Sequence, residues 1–296
     1  MIPPLYTVIL ITVFGLALGG FTSNAFIIAV IVTEWAKSSS LNSSELLLLS
    51  LGVSNICFIA TAIAAVFWSI FRNFLMSQVI GIIKGIAVLS RFWFTAWLCI
   101  FYCVKIVNGT HFLFLWCKQR ISQLLPWILA ASAAISIISP FFAFRLVPVH
   151  LQGNTSTVNI TGMAQVETEG KILPSYEIFF LVIGSSCPLL VVFLCSIVIV
   201  ASLYKHACQM RGKESSFRSP QTEAHFKAAG TVLFLLFLYL SFYITQVLTL
   251  VIPTEIVSSV YFVVLTGYSL AQASILVLVN SKLKQALTRM LPGRKS

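Results

Sequence analysis

Residues 79–108 read VIGIIKGIAVLSRFWFTAWLCIFYCVKIVN. The segment is long enough for a membrane-spanning helix, which needs about 20 mostly apolar residues, but Lys84, Arg91 and Lys105 interrupt it. Each span moves the chain to the other side of the membrane. Whether this segment spans therefore decides where every later loop lies.

The rest of the chain is strongly apolar. Of its 296 residues, 58% are hydrophobic and 9% are charged, with a mean hydropathy of +0.97, which is typical of membrane proteins. Charge-free runs of spanning length occupy residues 1–33, 46–71, 121–144, 178–204, 228–254 and 256–281. The interrupted segment lies between the second and third of these runs.

Basic residues decide whether the interrupted segment spans, because short cytoplasmic loops collect Lys and Arg. With seven spans and the N-terminus outside, 14 of the 19 Lys and Arg residues lie on the cytoplasmic side. Without this span the later loops would change sides and the bias would be lost. The sequence therefore predicts seven spans and an extracellular N-terminus.

The predicted fold is an all-α membrane protein with a single seven-helix transmembrane domain, residues 1–296. The predicted helices cover residues 5–33, 46–70, 79–108, 121–145, 176–204, 226–251 and 256–280. Residues 281–291 place Lys282, Lys284 and Arg289 against Leu283, Leu287 and Met290, which predicts a short amphipathic helix on the inner leaflet of the bilayer.

Several function classes are disfavoured. The chain has no aspartate, no HExxH zinc pattern and no chain of ionisable residues for a proton relay. The net charge of +11 follows from topology, so we expect no nucleic-acid binding. We expect no cofactor, no metal and no enzymatic activity. A signalling receptor is favoured, and a channel or transporter is the alternative from a different class.

Two glycosylation sequons, at Asn154 and Asn159, lie in the loop before the fifth span. The charge rule places this loop outside. We therefore predict that both are glycosylated, and that the sequons at Asn42 and Asn108, on the inner side, are not.

The inner ends of the helices carry sharper motifs. The third span ends in FYCVKIVN (101–108), and the fifth ends in SLYKHACQM (202–210). The sixth opens with HFKA (225–228), and the seventh is followed by NSKLKQ (280–285). Together with Asn24 in the first span, these motifs resemble those of the bitter taste receptor family, which has FYxxKIxN, SLxxHxxxM and NxKLKQ at these places.

The resemblance implies a G protein-coupled receptor in the plasma membrane. Such a receptor detects small bitter-type molecules from outside and activates a gustducin-like or Gi-like heterotrimeric G protein. A vomeronasal, pheromone-type receptor is the alternative within this class. The residues expected to form the switch facing the G protein are Tyr102, Lys105, His206, His225 and Lys227.

The chain departs from the family pattern at two places. It has Ser54-Asn55 where the family has Ser-Arg, and Gln272-Ala273 where the family has His-Ser. Alignment on the third span places Arg91 opposite Asn55. We therefore expect that the cation has moved across the interface and that Asn55 is its partner. A purely structural cation is the alternative.

The ligand pocket is expected at the outer ends of the helices. Lys84 stands where the family usually has a pocket tryptophan, so we expect it to pair with Glu177 or to meet an anionic ligand group. The alternative is a lysine that reaches toward the headgroups. The other pocket residues implied by the resemblance are Val88, Phe180, Phe242, Gln246 and Phe262. Pro188 is expected to bend the fifth helix.

Overall fold

The computed structural model describes residues 4–71, 74–107, 112–146, 184–210, 220–252 and 254–290. Within these ranges the regular elements are helical, and there is no strand. The α-helices are α1 (Pro4–Ser38), α2 (Ser43–Phe71), α3 (Phe74–Ile106), α4 (Phe112–Leu146), α5 (Cys187–Met210), α6 (Pro220–Val251), α7 (Glu255–Val279) and α8 (Ser281–Met290).

Seven of these helices are long and apolar enough to cross a membrane, and one of them is the interrupted segment, spanning Val79–Ile106. The predicted seven-helix membrane fold is confirmed. Several helices extend beyond the predicted spans: α1 continues to Ser38, α4 begins at Phe112 and α6 begins at Pro220. An apolar run measures the thickness of the hydrocarbon, and a helix continues into the polar region for as long as its backbone is paired.

The interrupted helix α3 lies at the centre of the bundle. It packs against α2, α4, α5 and α6. Helices α1 and α7 pack against each other, and they also contact α2 and α6, respectively. In its most apolar window, 72% of the α3 residues are buried, compared with 22% in α4 and in α5. This position explains why α3 tolerates Lys84 and Arg91, because charged side chains within a membrane segment face the bundle interior rather than lipid.

The outer surface of the bundle is apolar. Large side chains such as Ile11, Phe14, Trp127 and Phe237 are exposed on it, with Trp127 exposed to 77%. A surface of this composition suits contact with lipid. The described residues thus form a bundle with an apolar exterior and a mainly hydrophobic core that also encloses polar groups.

The short helix α8 follows α7 after a single residue, Asn280. The Asn280 side-chain oxygen accepts hydrogen bonds from the backbone N–H groups of Lys282, at 3.0 Å, and Leu283, at 3.3 Å. Lys282 Nζ lies 2.6 Å from a carboxylate oxygen of Glu45 in α2, and this contact raises the pKa of Lys282. Leu283 is buried and Lys284 is exposed, so α8 matches the predicted amphipathic segment.

Candidate functional site

A buried polar network joins four helices in the middle of the bundle. Asn55 Nδ2 of α2 donates to Asn24 Oδ1 of α1 and to Gln272 Oε1 of α7, both at 3.0 Å. Gln272 Nε2 donates to Thr95 Oγ1 of α3 at 2.8 Å. Asn24 Nδ2 also donates to the backbone oxygens of Gly20, at 2.8 Å, and Ser269, at 3.3 Å. The network fixes the relative positions of α1, α2, α3 and α7, because buried polar groups are costly to leave unpaired.

Arg91 of α3 borders this network and is fully buried. Its Nη1 donates to Ser269 Oγ of α7 at 3.0 Å. The guanidinium carbon lies 4.6 Å from the ring centroids of Phe58 and Tyr268 and 5.3 Å from that of Phe92. Cation–π contacts of this kind stabilise a cation that has lost its hydration. Arg91 therefore sits in an aromatic cage with one hydrogen bond.

The predicted pairing of Arg91 with Asn55 is wrong. Both donor hydrogens of Asn55 are used by Asn24 and Gln272, and neither Asn55 Oδ1 nor Arg91 Nε or Nη2 has a hydrogen-bond partner in the described part of the chain. The alignment placed Asn55 and Arg91 opposite each other on α2 and α3. It did not show that α7 supplies the partners of both residues, Gln272 for Asn55 and Ser269 for Arg91.

The two departures from the family pattern contact each other. Asn55 stands at one of the departing positions and Gln272 at the other, and their side chains are joined by the 3.0 Å hydrogen bond. Sequence reasoning noted both residues but did not connect them. Two polar substitutions at buried positions of different helices were the available signal, since each needs a partner.

An aromatic layer lies beside the cage and joins α3, α6 and α7. The Phe92 ring stacks on Tyr239, with centroids 4.5 Å apart and planes 16° apart, and lies 4.5 Å from Phe242. It meets Tyr268 edge to face at 5.9 Å, and Phe242 lies 5.8 Å from Tyr261. The predicted pocket residue Phe242 is fully buried in this layer. Phe92 was not among the predicted residues.

Lys84 faces α7 above this layer. Its Nζ lies 4.8 Å from the ring centroid of Phe262, whose side chain is 46% exposed. Val88, one turn further along α3, is buried. The structure thus brings three predicted pocket residues to neighbouring positions. Glu177, Phe180 and the sequons at Asn154 and Asn159 lie outside the described residues.

The predicted pocket residue Gln246 has the partner that a buried amide requires. Its Oε1 accepts a hydrogen bond from Ser185 Oγ at 2.8 Å. One turn away on α6, Tyr243 Oη lies 3.1 Å from Ser186 Oγ, and Tyr239 Oη donates to the Ser185 backbone oxygen at 3.0 Å. Three side chains on one face of α6 therefore hold residues 185 and 186.

The segment held in this way is irregular. Residues 184–186 form a π-helical turn, and Pro188 is the second residue of the regular helix α5 that follows. Proline has no backbone N–H, so the carbonyl oxygen of residue 184, four residues earlier, loses its helical partner. Tyr239 donates to the neighbouring carbonyl, that of Ser185, and so ties α6 to this turn. The irregular turn thus lies directly before Pro188, and the expected bend of the fifth helix stays a prediction.

The predicted switch residues lie at the other end of the bundle. Tyr102 is half-buried near the end of α3, and Lys105 is exposed, with Nζ 5.8 Å from the Phe101 ring centroid. Lys227 is exposed in α6. His206 in α5 and His225 in α6 belong to described helices, but their side chains lie outside the described part. The helices that carry these residues, α3, α5 and α6, pack against one another.

The described residues include no group of three or more His, Cys, Asp or Glu side chains that could hold a metal ion. The chemistry available to the site is recognition by aromatic rings, amides, hydroxyls and two cations. Groups of these kinds suit the recognition of a small molecule.

Comparison with known proteins agrees with this arrangement. The sequence profile of the taste receptor protein family (TAS2R) matches residues 1–295. The chain is 27% identical to taste receptor type 2 member 8 of Papio hamadryas, covering 100% of this chain and 98% of that protein. It is 28% identical to member 9 of Homo sapiens, covering 92% and 89%, and 31% identical to member 60 of Gorilla gorilla gorilla, covering 81% and 78%. The chain therefore belongs to the taste receptor (TAS2R) family of G protein-coupled receptors and is a multi-pass membrane protein.

Proposed function

We propose that this chain is a plasma-membrane receptor for small bitter-type molecules, with its N-terminus outside and a gustducin-like or Gi-like G protein as its cytoplasmic partner. The observation that carries the proposal is the family match over residues 1–295. The basic residues at the predicted inner ends and the sequons in the predicted outer loop support the orientation.

In this orientation the ligand enters between the outer halves of α3, α6 and α7. Lys84 and Phe262 lie at the entrance and Phe242 lies at the floor, where it joins the aromatic layer around Phe92. A ligand that contacts Phe242 thus acts on side chains from three helices. Ligand binding shifts the receptor toward the arrangement of this layer that it binds more tightly.

The response reaches the cytoplasmic side through α6. Its outer half is held to residues 185 and 186 by Tyr239, Tyr243 and Gln246. These contacts hold the outer half of α6 against the irregular turn before Pro188, so α6 pivots about this point when its inner end moves. The inner end of α6, which carries His225 and Lys227, moves away from α3 and exposes Tyr102 and Lys105 to the G protein.

The test is calcium release in cells that express the full chain together with a gustducin-like G protein, during exposure to a panel of bitter compounds. We expect a concentration-dependent response to at least one compound. The response should disappear without the G protein and in the Tyr102→Ala and Lys105→Ala variants at equal surface level. Uptake of a compound without any dependence on the G protein would instead support the transporter alternative.

A further inference from the structure

Helices α3 and α7 face each other along a common register. Arg91 contacts Ser269, and these residues are 178 positions apart in the chain. Lys84 lies over the ring of Phe262, and these two residues are also 178 positions apart in the chain. Both contacts therefore lie on the same face of each helix, about 10 Å apart along the axis, since an α-helix rises about 1.5 Å per residue.

Long side chains span the distance between these two helices. Within the described residues, α3 and α7 do not pack closely through their backbones, unlike α3 and α2 or α7 and α1. The outer part of this space contains Lys84 and the ring of Phe262, which is 46% exposed, while Val88 and Phe242 are buried beside it. Most of its border is therefore aromatic or aliphatic, and its charged group is a cation.

No described carboxylate balances this charge. The glutamates whose side chains the structure describes are Glu34 and Glu45, near the connection between α1 and α2, and Glu255 at the start of α7; Glu223 lies in α6, but its side chain lies outside the described part. None of them forms an ion pair with Lys84 or Arg91 in the described part of the chain. The space between α3 and α7 thus has two positive charges along one face of α3, which favours anions in a medium of low dielectric constant.

We propose that the ligands of this receptor include organic acids with an aromatic body, whose carboxylate binds Lys84 Nζ. This proposal rests on the proposed function, because it specifies the ligand class of the same pocket. The carboxylate forms a charge-assisted hydrogen bond with the ammonium group. The aromatic body packs against the ring of Phe262, which is 46% exposed, and Arg91, about 10 Å further along α3, adds an attractive field. Amines of the same shape are repelled by both cations.

The test measures binding to the purified full chain in lipid nanodiscs, through the ligand-induced rise of its thermal unfolding midpoint. The probes are biphenyl-4-carboxylate, 2-naphthoate and 4-phenylbutyrate, each compared with its uncharged carboxamide. We expect acids of this panel to bind the unaltered chain about tenfold or more tightly than their amides, as loss of a charged hydrogen bond predicts. No shift with any of the acids, or equal shifts with acids and amides, would overturn the proposal.

Variants of Lys84 test the residue directly. Lys84→Gln should lose the preference for the acid, Lys84→Arg should keep it, and Lys84→Glu should prefer the corresponding amines. The matched control is Lys37→Gln, since Lys37 is an exposed lysine at the end of α1 that contacts Glu34. An undiminished acid preference in Lys84→Gln would overturn the proposal.

This experiment separates the ligand class from the signalling role. Binding to purified protein requires no G protein, so a receptor that binds acids without signalling would keep this proposal and contradict the proposed function. A receptor that responds to neutral compounds and binds none of the acids would keep the proposed function and contradict the proposal on acids. Neutralisation of Lys84 by Glu177 would appear as the absence of an acid preference, which overturns the proposal.

Discussion

At the scale of single residues, Arg91 is the unusual feature. It is a fully buried cation with one hydrogen bond, to Ser269, and three surrounding rings. No described carboxylate pairs with it, so its desolvation is offset only in part. A residue of this kind is expected to contribute to specificity or signalling more than to stability.

The first prediction concerns the stability of variants at this residue. Arg91→Met should leave the thermal unfolding midpoint of the purified chain unchanged or raise it, because an apolar side chain of similar length needs no hydration inside the cage. Ser269→Ala should lower the stability by about 1–3 kcal/mol, because it leaves the buried guanidinium without its hydrogen-bond acceptor. If Arg91→Met were instead much less stable than Ser269→Ala, the contacts of Arg91 would fully offset the desolvation of its guanidinium, and the prediction would be wrong.

Sequence reasoning found some residues and missed others for a physical reason. Gln246 was named as a pocket residue, and the structure pairs its side chain with Ser185. The partner of Arg91 was assigned incorrectly, and Phe92 was missed. A motif gives the position of a residue along its helix, but the rotation and tilt that decide its neighbours come from packing of the whole bundle.

At the scale of elements, the network of Asn55 and Gln272 couples α2 to α7. Both residues are fully buried, and each is a departure from the family pattern. The hydrogen bond between these two amides pairs polar groups that would otherwise be buried without a partner. We therefore regard the departures at Asn55 and Gln272 as a single coupled change.

The second prediction tests this coupling with a double-mutant cycle. Asn55→Ala and Gln272→Ala should each destabilise the purified chain, and their combined effect should be smaller than the sum by about 1 kcal/mol, as for residues in one hydrogen-bond network. The control pair is Asn55→Ala with Ser196→Ala, since Ser196 Oγ donates within α5 to the Val192 oxygen at 2.8 Å. Additivity in the test pair would contradict the coupling.

The third prediction concerns the connection between α5 and α6. Tyr239→Phe removes the hydrogen bond to the Ser185 carbonyl without changing the aromatic layer. We expect ligand-independent signalling to rise about fivefold, because a hydrogen bond contributes about 1 kcal/mol to the resting state. The measurement is basal calcium signalling at matched surface level. The control is Tyr204→Phe, whose side chain is 72% exposed on α5, and a basal level equal to this control would contradict the role of Tyr239.

At the scale of the whole molecule, the seven spans follow from residues 79–108. Charge bias predicted that this segment spans, and the structure explains how it does, because α3 is the central and most buried helix. Helix number and approximate bounds were thus predictable from apolar runs and basic residues. Extensions such as residues 34–38 of α1 were not, because helical pairing continues beyond the hydrocarbon.

The fourth prediction tests the orientation. The double variant Asn154→Gln with Asn159→Gln should migrate faster than the unaltered chain on gels, because both sequons are expected on the outer side, where glycans are attached. Asn42→Gln, at the connection between α1 and α2, should leave the mobility unchanged. Loss of a glycan in Asn42→Gln would reverse the orientation of the bundle.

The central claim is that the chain converts ligand binding into G-protein activation. Its most direct test is nucleotide exchange by a purified gustducin-like G protein with the full chain in nanodiscs, using a compound that evokes calcium release in cells. We expect the compound to accelerate exchange with the unaltered chain and not with Lys105→Ala. Binding of the compound without any acceleration of exchange, or its transport across the bilayer, would show that the chain does not activate the G protein in response to the ligand.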